Sequence, residues 1–232
     1  MGFIWTTENI KWFERAADQT EFYSLVANQL RDVVTSHSTV FDLGCGTGYL
    51  SMELSPFVAS VTAVDWNEEA LQFLQRKSKE RQIDNIMREL RDWRCWQPDS
   101  QADLVCISYC DGFMEHFPYL MELTKRFLVG IFPLEHRESH PNQETFPKLV
   151  QFLQRQQIPF ESTTICCDFG QPMESLDECR EFLNHYTKTP KKLLPDELLT
   201  RYLSENESGW YLPKVRKSGL LLIDKENWLK KG

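Results

Sequence analysis

The chain has 232 residues, of which 41% are hydrophobic and 26% charged, with 34 acidic against 26 basic side chains and a formal net charge of −8. That length supports one domain with a substantial core, and the composition excludes disordered, collagenous and disulfide-scaffold classes. No apolar run reaches the length of a membrane span, and the acidic balance works against a polyphosphate partner.

Taken in chain order, residues 7–36 carry two helical patterns, Ile10, Phe13, Ala16 and Ala17, then Phe22, Leu25, Val26, Leu30 and Val33. Val40-Phe41-Asp42-Leu43 reads as a short buried strand that turns through Gly44, Gly46 and Gly48 and enters a helix at Tyr49. Three glycines permit a backbone with φ > 0 and leave no Cβ where a ligand approaches the main chain. The helix that follows turns its free N–H groups toward whatever lies over the loop, which suits a nucleotide-like ligand. Ser60–Asp65 is a second strand ending in a carboxylate about 20 residues past the turn, the separation at which an acid reaches ribose hydroxyls. A capped helix over 67–81 has Glu68 and Glu69 first and Arg76, Lys77 and Lys79 last, matching the helix dipole.

A third apolar stretch, Ile86–Leu90, leads into Arg91-Asp92-Trp93, and a fourth, Ala102–Ser108, into Tyr109-Cys110-Asp111-Gly112. Arg126–Phe132 is a fifth strand stopped by Pro133, a helix runs over 143–156, and β-branched Thr163, Thr164 and Ile165 mark a sixth strand over 160–169. Two further helical patterns, 175–186 (opened by a capping box of Ser175 and Glu178) and 196–203, precede a last strand over 218–224. Strands alternating with helices predict a parallel, doubly wound α/β sheet.

The spacing of the glycine turn separates two cofactor classes. A dinucleotide fingerprint places its third glycine five positions after the first; here Gly44, Gly46 and Gly48 span four, with Asp42 two residues earlier. This arrangement, followed by acids at Asp65 and Asp92 and the fourth strand, resembles the class I S-adenosylmethionine-dependent methyltransferases, as a small, type-11-like member. The resemblance covers roughly residues 38–132. It implies a Rossmann-like sheet of seven strands, mostly parallel with the last antiparallel, helices on both faces and a helical insertion between the last two strands. It divides the chain into an N-terminal cap (1–36), a core (38–168), a helical lid (170–217) and the last strand (218–224). It further implies that Asp42, Gly44, Cys45, Gly46 and Gly48 hold the methionine end of S-adenosylmethionine. Asp65 then binds ribose, Trp66, Asp92 and Trp93 the adenine, and Ser108 borders the site. Trp5, Trp12, Phe13 and Tyr23 would wall the site or pack on the sheet edge.

The chemistry leaves more open. In-line methyl transfer needs alignment and exclusion of water, and a base only when the acceptor holds its proton tightly. Asp111 and His136 are candidate bases, with a capping role for Asp111 as the simpler reading. The loop Ser108-Tyr109-Cys110-Asp111 lacks the Asn/Asp-Pro-Pro-aromatic signature of enzymes that methylate base or glutamine nitrogens. Tyr109 and Gln171, with Phe169, Tyr186 and Tyr202, are expected to face a small-molecule acceptor under the lid. His136 and His140 are poorly spaced for metal, since Pro141 ends any helix there, and no metal is expected. The basic groups Lys188-Lys191-Lys192 and Lys214-Arg216-Lys217 read as solvated surface. Seven cysteines without a C-x-x-C pair are read as reduced thiols, and Met1–Thr6 lacks signal-peptide character, so a cytoplasmic protein is expected. The same residues fit the loose myristoylation pattern, for which coincidence is the simpler reading. Rival functions are RNA or protein methylation, a non-catalytic cofactor-binding regulator and, least favoured by the glycines, a nicotinamide enzyme.

Overall fold

A computed structural model of the chain describes residues 4–135, 143–186, 196–206 and 209–230. Its framework is a seven-stranded sheet with β1 (Thr39–Leu43), β2 (Ser60–Asp65), β3 (Ile86–Leu90), β4 (Ala102–Ser108), β5 (Thr124–Pro133), β6 (Glu161–Asp168) and β10 (Val215–Asp224). The strand order is β3-β2-β1-β4-β5-β10-β6. β10 runs antiparallel to both of its neighbours, while the pairs among β1 to β5 are parallel. The central strands are apolar on both faces, as a sheet covered by helices on each side requires. One core holds Phe22, Val26, Leu30, Leu54, Leu74, Cys106 and Val129 beneath α1 (Thr7–Gln19), α2 (Phe22–Leu30), α3 (Tyr49–Leu54) and α4 (Glu68–Glu80). The other holds Leu43, Val64, Val105, Leu128, Leu149 and Leu153 beneath α5 (Phe117–Leu123) and α6 (Phe146–Arg155). Each such side chain, once buried, contributes on the order of 1.5–3 kcal/mol.

Local chemistry fixes the element ends. Asn67 accepts the Ala70 amide at 2.9 Å to start α4, with Glu68 and Glu69 in its first turn and Lys77 and Lys79 in its last. Thr6 caps α1 reciprocally with Asn9. At α7 (Leu176–Tyr186) the capping is shared differently from expectation: Ser175 accepts the Glu178 amide at 3.1 Å, but Glu178 accepts the Glu174 amide at 2.7 Å and faces Arg15.

The insertion between β6 and β10 departs from a purely helical lid. It holds β7 (Gln171–Met173), α7, α8 (Asp196–Leu199), β8 (Ser204–Asn206) and β9 (Gly209–Leu212), and its strands form a second sheet of order β7-β9-β8. These strands are short, and Pro172 sits within one of them, so no alternating pattern announces them; pairing with β9 makes them. The helical pattern expected over 196–203 therefore stops at Leu199. β10 begins at Val215 rather than 218 because residues 215–217 pair with β6, and β5 begins two residues early because Thr124 pairs with Ala102. A short final helix, α9 (Lys225–Leu229), starts where Asp224 accepts the Glu226 and Asn227 amides. The insertion is clasped to α1: Arg15 donates to both carboxylate oxygens of Glu178 at 2.7 and 2.8 Å and to Glu174, and Trp12 packs edge-on to Phe182.

Candidate active site

The site forms at the C-terminal ends of β1, β2 and β4, the edge where open α/β sheets bind ligands. Gly44, Gly46 and Gly48 have φ of 70°, 54° and 72°, a region L side chains rarely adopt. A Cβ on Gly46 would stand 2.8 Å from the Trp5 indole, and one on Gly44 would stand 2.5 Å from Cys110 Sγ. The turn is tied to β2, since Gly44 and Cys45 both donate to the Val64 carbonyl, at 2.8 and 3.1 Å.

Asp65 is the hinge of this arrangement. It is buried, and its Oδ2 accepts the Gly46 amide at 2.8 Å while Oδ1 accepts the Asn67 amide at 2.8 Å. Burial raises its pKa, opposed by the amides of Asn67, Gly46 and Trp66, and the nearby Asp92 charge raises it further. A carboxylate has about four acceptor positions, so each oxygen of Asp65 retains one beyond its hydrogen bond from Gly46 or Asn67. That fits the vicinal diol of a ribose. Asp42 is buried one strand away and accepts the Ser51 hydroxyl at 2.6 Å. Burial lifts its pKa to about 6 against the Ser51 hydrogen bond, and the charge of Asp65 adds to the rise.

The third strand end is differently committed. Asp92 accepts the Arg94 amide and both ends of its guanidinium at 2.6–3.0 Å, and Arg94 holds its pKa low. Trp93 is buried in the α5–α6 core, with its indole N–H on Cys110 Sγ at 3.4 Å and its ring edge on His116. Trp66, by contrast, is 46% exposed immediately after Asp65. The rim therefore offers an open indole at Trp66 and a carboxylate already paired at Asp92.

Ser108 ends β4 half-buried, and Tyr109 follows with φ 54°. The Tyr109 hydroxyl bonds to the Ser218 hydroxyl, and its ring meets Phe22. Asp111 is exposed, and its Oδ1 accepts the Glu144 amide at 2.9 Å. Glu144 in return accepts the amides of Gly112, Phe113 and Met114 at 2.9–3.0 Å, so a residue about thirty positions away shapes the loop after β4. No local sequence pattern marks Glu144. Gln171 is buried, donating to the carbonyls of Trp12 and Pro172 at 3.0 and 3.1 Å, so its amide joins α1 to the insertion. Phe169 is buried, whereas Tyr186 and Tyr202 are exposed. His136 and His140, and the lysines Lys188, Lys191 and Lys192, lie outside the described residues.

Trp5 reaches the turn from the segment before α1. Its carbonyl accepts from Asn67 Nδ2 at 3.0 Å, and its ring meets Phe13 edge-on at 5.0 Å. Phe13 and Tyr23 continue this aromatic wall, with Tyr23 stacked on Tyr49 at 5.6 Å, while Trp12 faces the insertion. All seven cysteines are free thiols. Burial raises the pKa of Cys45 and takes that of Cys110 to about 11, so both are protonated near neutral pH. Among the described residues no group of three or more His, Cys, Asp and Glu is placed to hold a metal ion, and no described helix is long and apolar enough to cross a membrane.

A methyltransferase-domain family model matches residues 40–128, the segment that carries the glycine turn, Asp65 and Asp92. The cypemycin N-terminal methyltransferase of a Streptomyces species is 35% identical over 99 residues, 38% of this chain and 39% of that protein. This chain thus spans about two fifths of the length of that curated relative. Among solved structures, the YcgJ protein of Bacillus subtilis is similar at TM-score 0.58 and 13% identity, over 87% of this chain and 97% of that one. Magnesium protoporphyrin IX methyltransferase of Synechocystis, solved with bound S-adenosylmethionine, is similar at TM-score 0.51 and 15% identity, over 90% and 81%. Residues 40–128 thus match a methyltransferase domain, and the chain shares its fold with these solved proteins.

Proposed function

We propose that the chain transfers the methyl group of S-adenosylmethionine to a small-molecule acceptor by in-line displacement. The observation that carries this reading is Asp65, a buried carboxylate that braces Gly46 and keeps acceptor positions for a diol beside the turn. In this reading the methionine end lies along Gly44–Gly48, with Cys45 as a small side chain and Asp42 behind the turn as a negative charge that favours a sulfonium. Asp65 takes the ribose, and Trp66, with Asp92 and Trp93 behind it, borders the adenine. S-adenosylmethionine supplies an electrophilic methyl group when bound. The protein's own part is to orient the acceptor and keep water out, through Trp5, Phe13 and the loop from Ser108. Where an acceptor must lose a proton, Asp111 is the described candidate: its second carboxylate oxygen bonds no described residue. The net charge of −8 supports a small acceptor over RNA.

A second reading, methylation of a peptide amine, draws support from the name of the curated Streptomyces relative. Incubation with methyl-labelled S-adenosylmethionine and fractionated cell extract tests the assignment. Label in the small-molecule fraction is expected. Label confined to peptide or RNA fractions overturns the acceptor class, and cofactor binding without label in any fraction favours the non-catalytic role.

A further inference from the structure

Arg216 belongs to a sequence cluster that reads as solvated surface, yet the strand separates its members. Lys217 points away and pairs with Glu135 at 3.1 Å. Arg216 turns inward, at the end of the antiparallel strand β10 that lies beside the C-terminal ends of β4 and β5. Its guanidinium carbon stands 3.3 Å from the centroid of the Phe169 ring, 4.7 Å from that of Phe22 and 5.1 Å from that of Tyr109. The Tyr23 hydroxyl lies beside the same group.

Three described arginines are half-buried, and two of them are neutralised. Arg15 contacts Glu174 and Glu178, and Arg180 contacts Asp177 and Asp196. Arg216 forms no ion pair among the described residues. Removing a charge from water without a partner is costly, and ring stacking compensates only part of that. Stacking also uses the faces of a guanidinium and leaves its edge of N–H donors for a planar anion in the same plane. The rings continue from this cation toward the glycine turn, since Phe169 meets Phe13 at 5.7 Å, Phe13 meets Trp5 at 5.0 Å, and Trp5 lies on Gly46.

We propose that Arg216 recognises the acceptor: its guanidinium edge binds the carboxylate of a small organic acid whose apolar body lies against the half-buried Tyr109 ring. The proposal rests on the methyltransferase reading above and names the class of acceptor. A neutral or cationic molecule would leave the guanidinium unpaired, so the site discriminates by charge at one end and shape along the rings.

The test is calorimetry on the full chain saturated with S-adenosylhomocysteine, with benzoate and its neutral isostere benzamide as probes. Wild type is expected to bind benzoate about tenfold or more tightly than benzamide, the scale of a charge-assisted bidentate contact. Arg216→Gln should abolish that preference while holding S-adenosylhomocysteine affinity within about twofold, because Arg216 stands apart from Asp65 and the glycine turn. Arg216→Lys, which keeps the charge without the planar fork, should retain a reduced preference and carries the test if the glutamine variant does not fold. Equal affinity for the two probes in wild type overturns the proposal, as does a preference that survives in Arg216→Gln. Failure of S-adenosylhomocysteine to bind while wild type still prefers benzoate counts against the methyltransferase reading and leaves the anion site standing.

Discussion

Asp42 offers a quantitative handle on the site, because its environment fixes both the sign and the size of a stability change. It is buried in β1, and its side chain accepts the Ser51 hydroxyl. Folding raises its pKa from 3.8 to about 6, through burial first and the Asp65 charge second. A raised value means the ionised form is the one the fold disfavours. Stability is therefore full below the unfolded pKa of 3.8 and is lost as pH rises toward about 6. The distance between those values corresponds to about 3 kcal/mol. Asp42→Asn keeps the shape and still accepts from Ser51 but does not ionise, so it should be more stable than wild type at pH 7.5 by roughly 2–3 kcal/mol and nearly equal at pH 4. Urea denaturation of both proteins at the two pH values reads this directly. Asp65 and Glu144, whose pKa values burial also raises, contribute to both proteins and largely cancel in the comparison. A constant difference between the two proteins across that range would refute the reasoning.

Other outcomes follow from named contacts. Titration with S-adenosylhomocysteine should change tryptophan emission, and Trp5→Phe should remove most of that change because Trp5 lies on Gly46; an undiminished change in the variant would place the ligand elsewhere. Glu144→Ala leaves three loop amides without their acceptor and should cost roughly 2–4 kcal/mol in urea denaturation; a cost below about 0.5 kcal/mol would mean water replaces the carboxylate freely. Arg15→Ala unclasps α7 from α1, and amide exchange over 176–186 should quicken several-fold relative to β1, as expected for a segment of lowered local stability. Unchanged exchange there would show that Trp12 and Gln171 hold the insertion unaided.

The glycine turn and Asp65 were legible because each rests on short-range geometry: φ > 0 at fixed positions, and an acid ending a strand in register with the turn. The seven-stranded sheet was legible for the related reason that its apolar strands alternate with amphipathic, capped helices. What stayed hidden depends on distant partners. β7, β8 and β9 are made by pairing across the insertion, and polar Ser204-Glu205-Asn206 or Pro172 carries no strand signal alone. Glu144 acts on a loop about thirty residues earlier. The apolar run that marks the last strand begins only at 218, which leaves Arg216 beside Lys217 in sequence; once pairing with β6 extends the strand to Val215, alternation sends the two side chains to opposite faces. The pairing of Asp92 with Arg94, two residues away, is equally unmarked, since an aspartate near an arginine has no obligatory contact in sequence.

The central claim is that one pocket, formed by the glycine turn and Asp65, grips an adenosyl sulfonium. Calorimetry with S-adenosylmethionine, S-adenosylhomocysteine and NAD, on wild type and Asp65→Ala, tests it most directly. Wild type should bind the first two at one site per chain and NAD not measurably, and the variant should lose about a hundredfold in affinity, the worth of two hydrogen bonds to a charged group. Because Asp65 also braces Gly46 and Asn67, the variant is compared at a temperature where circular dichroism shows it folded. Tight NAD binding by wild type, or unchanged S-adenosylhomocysteine affinity in the folded variant, would contradict the account.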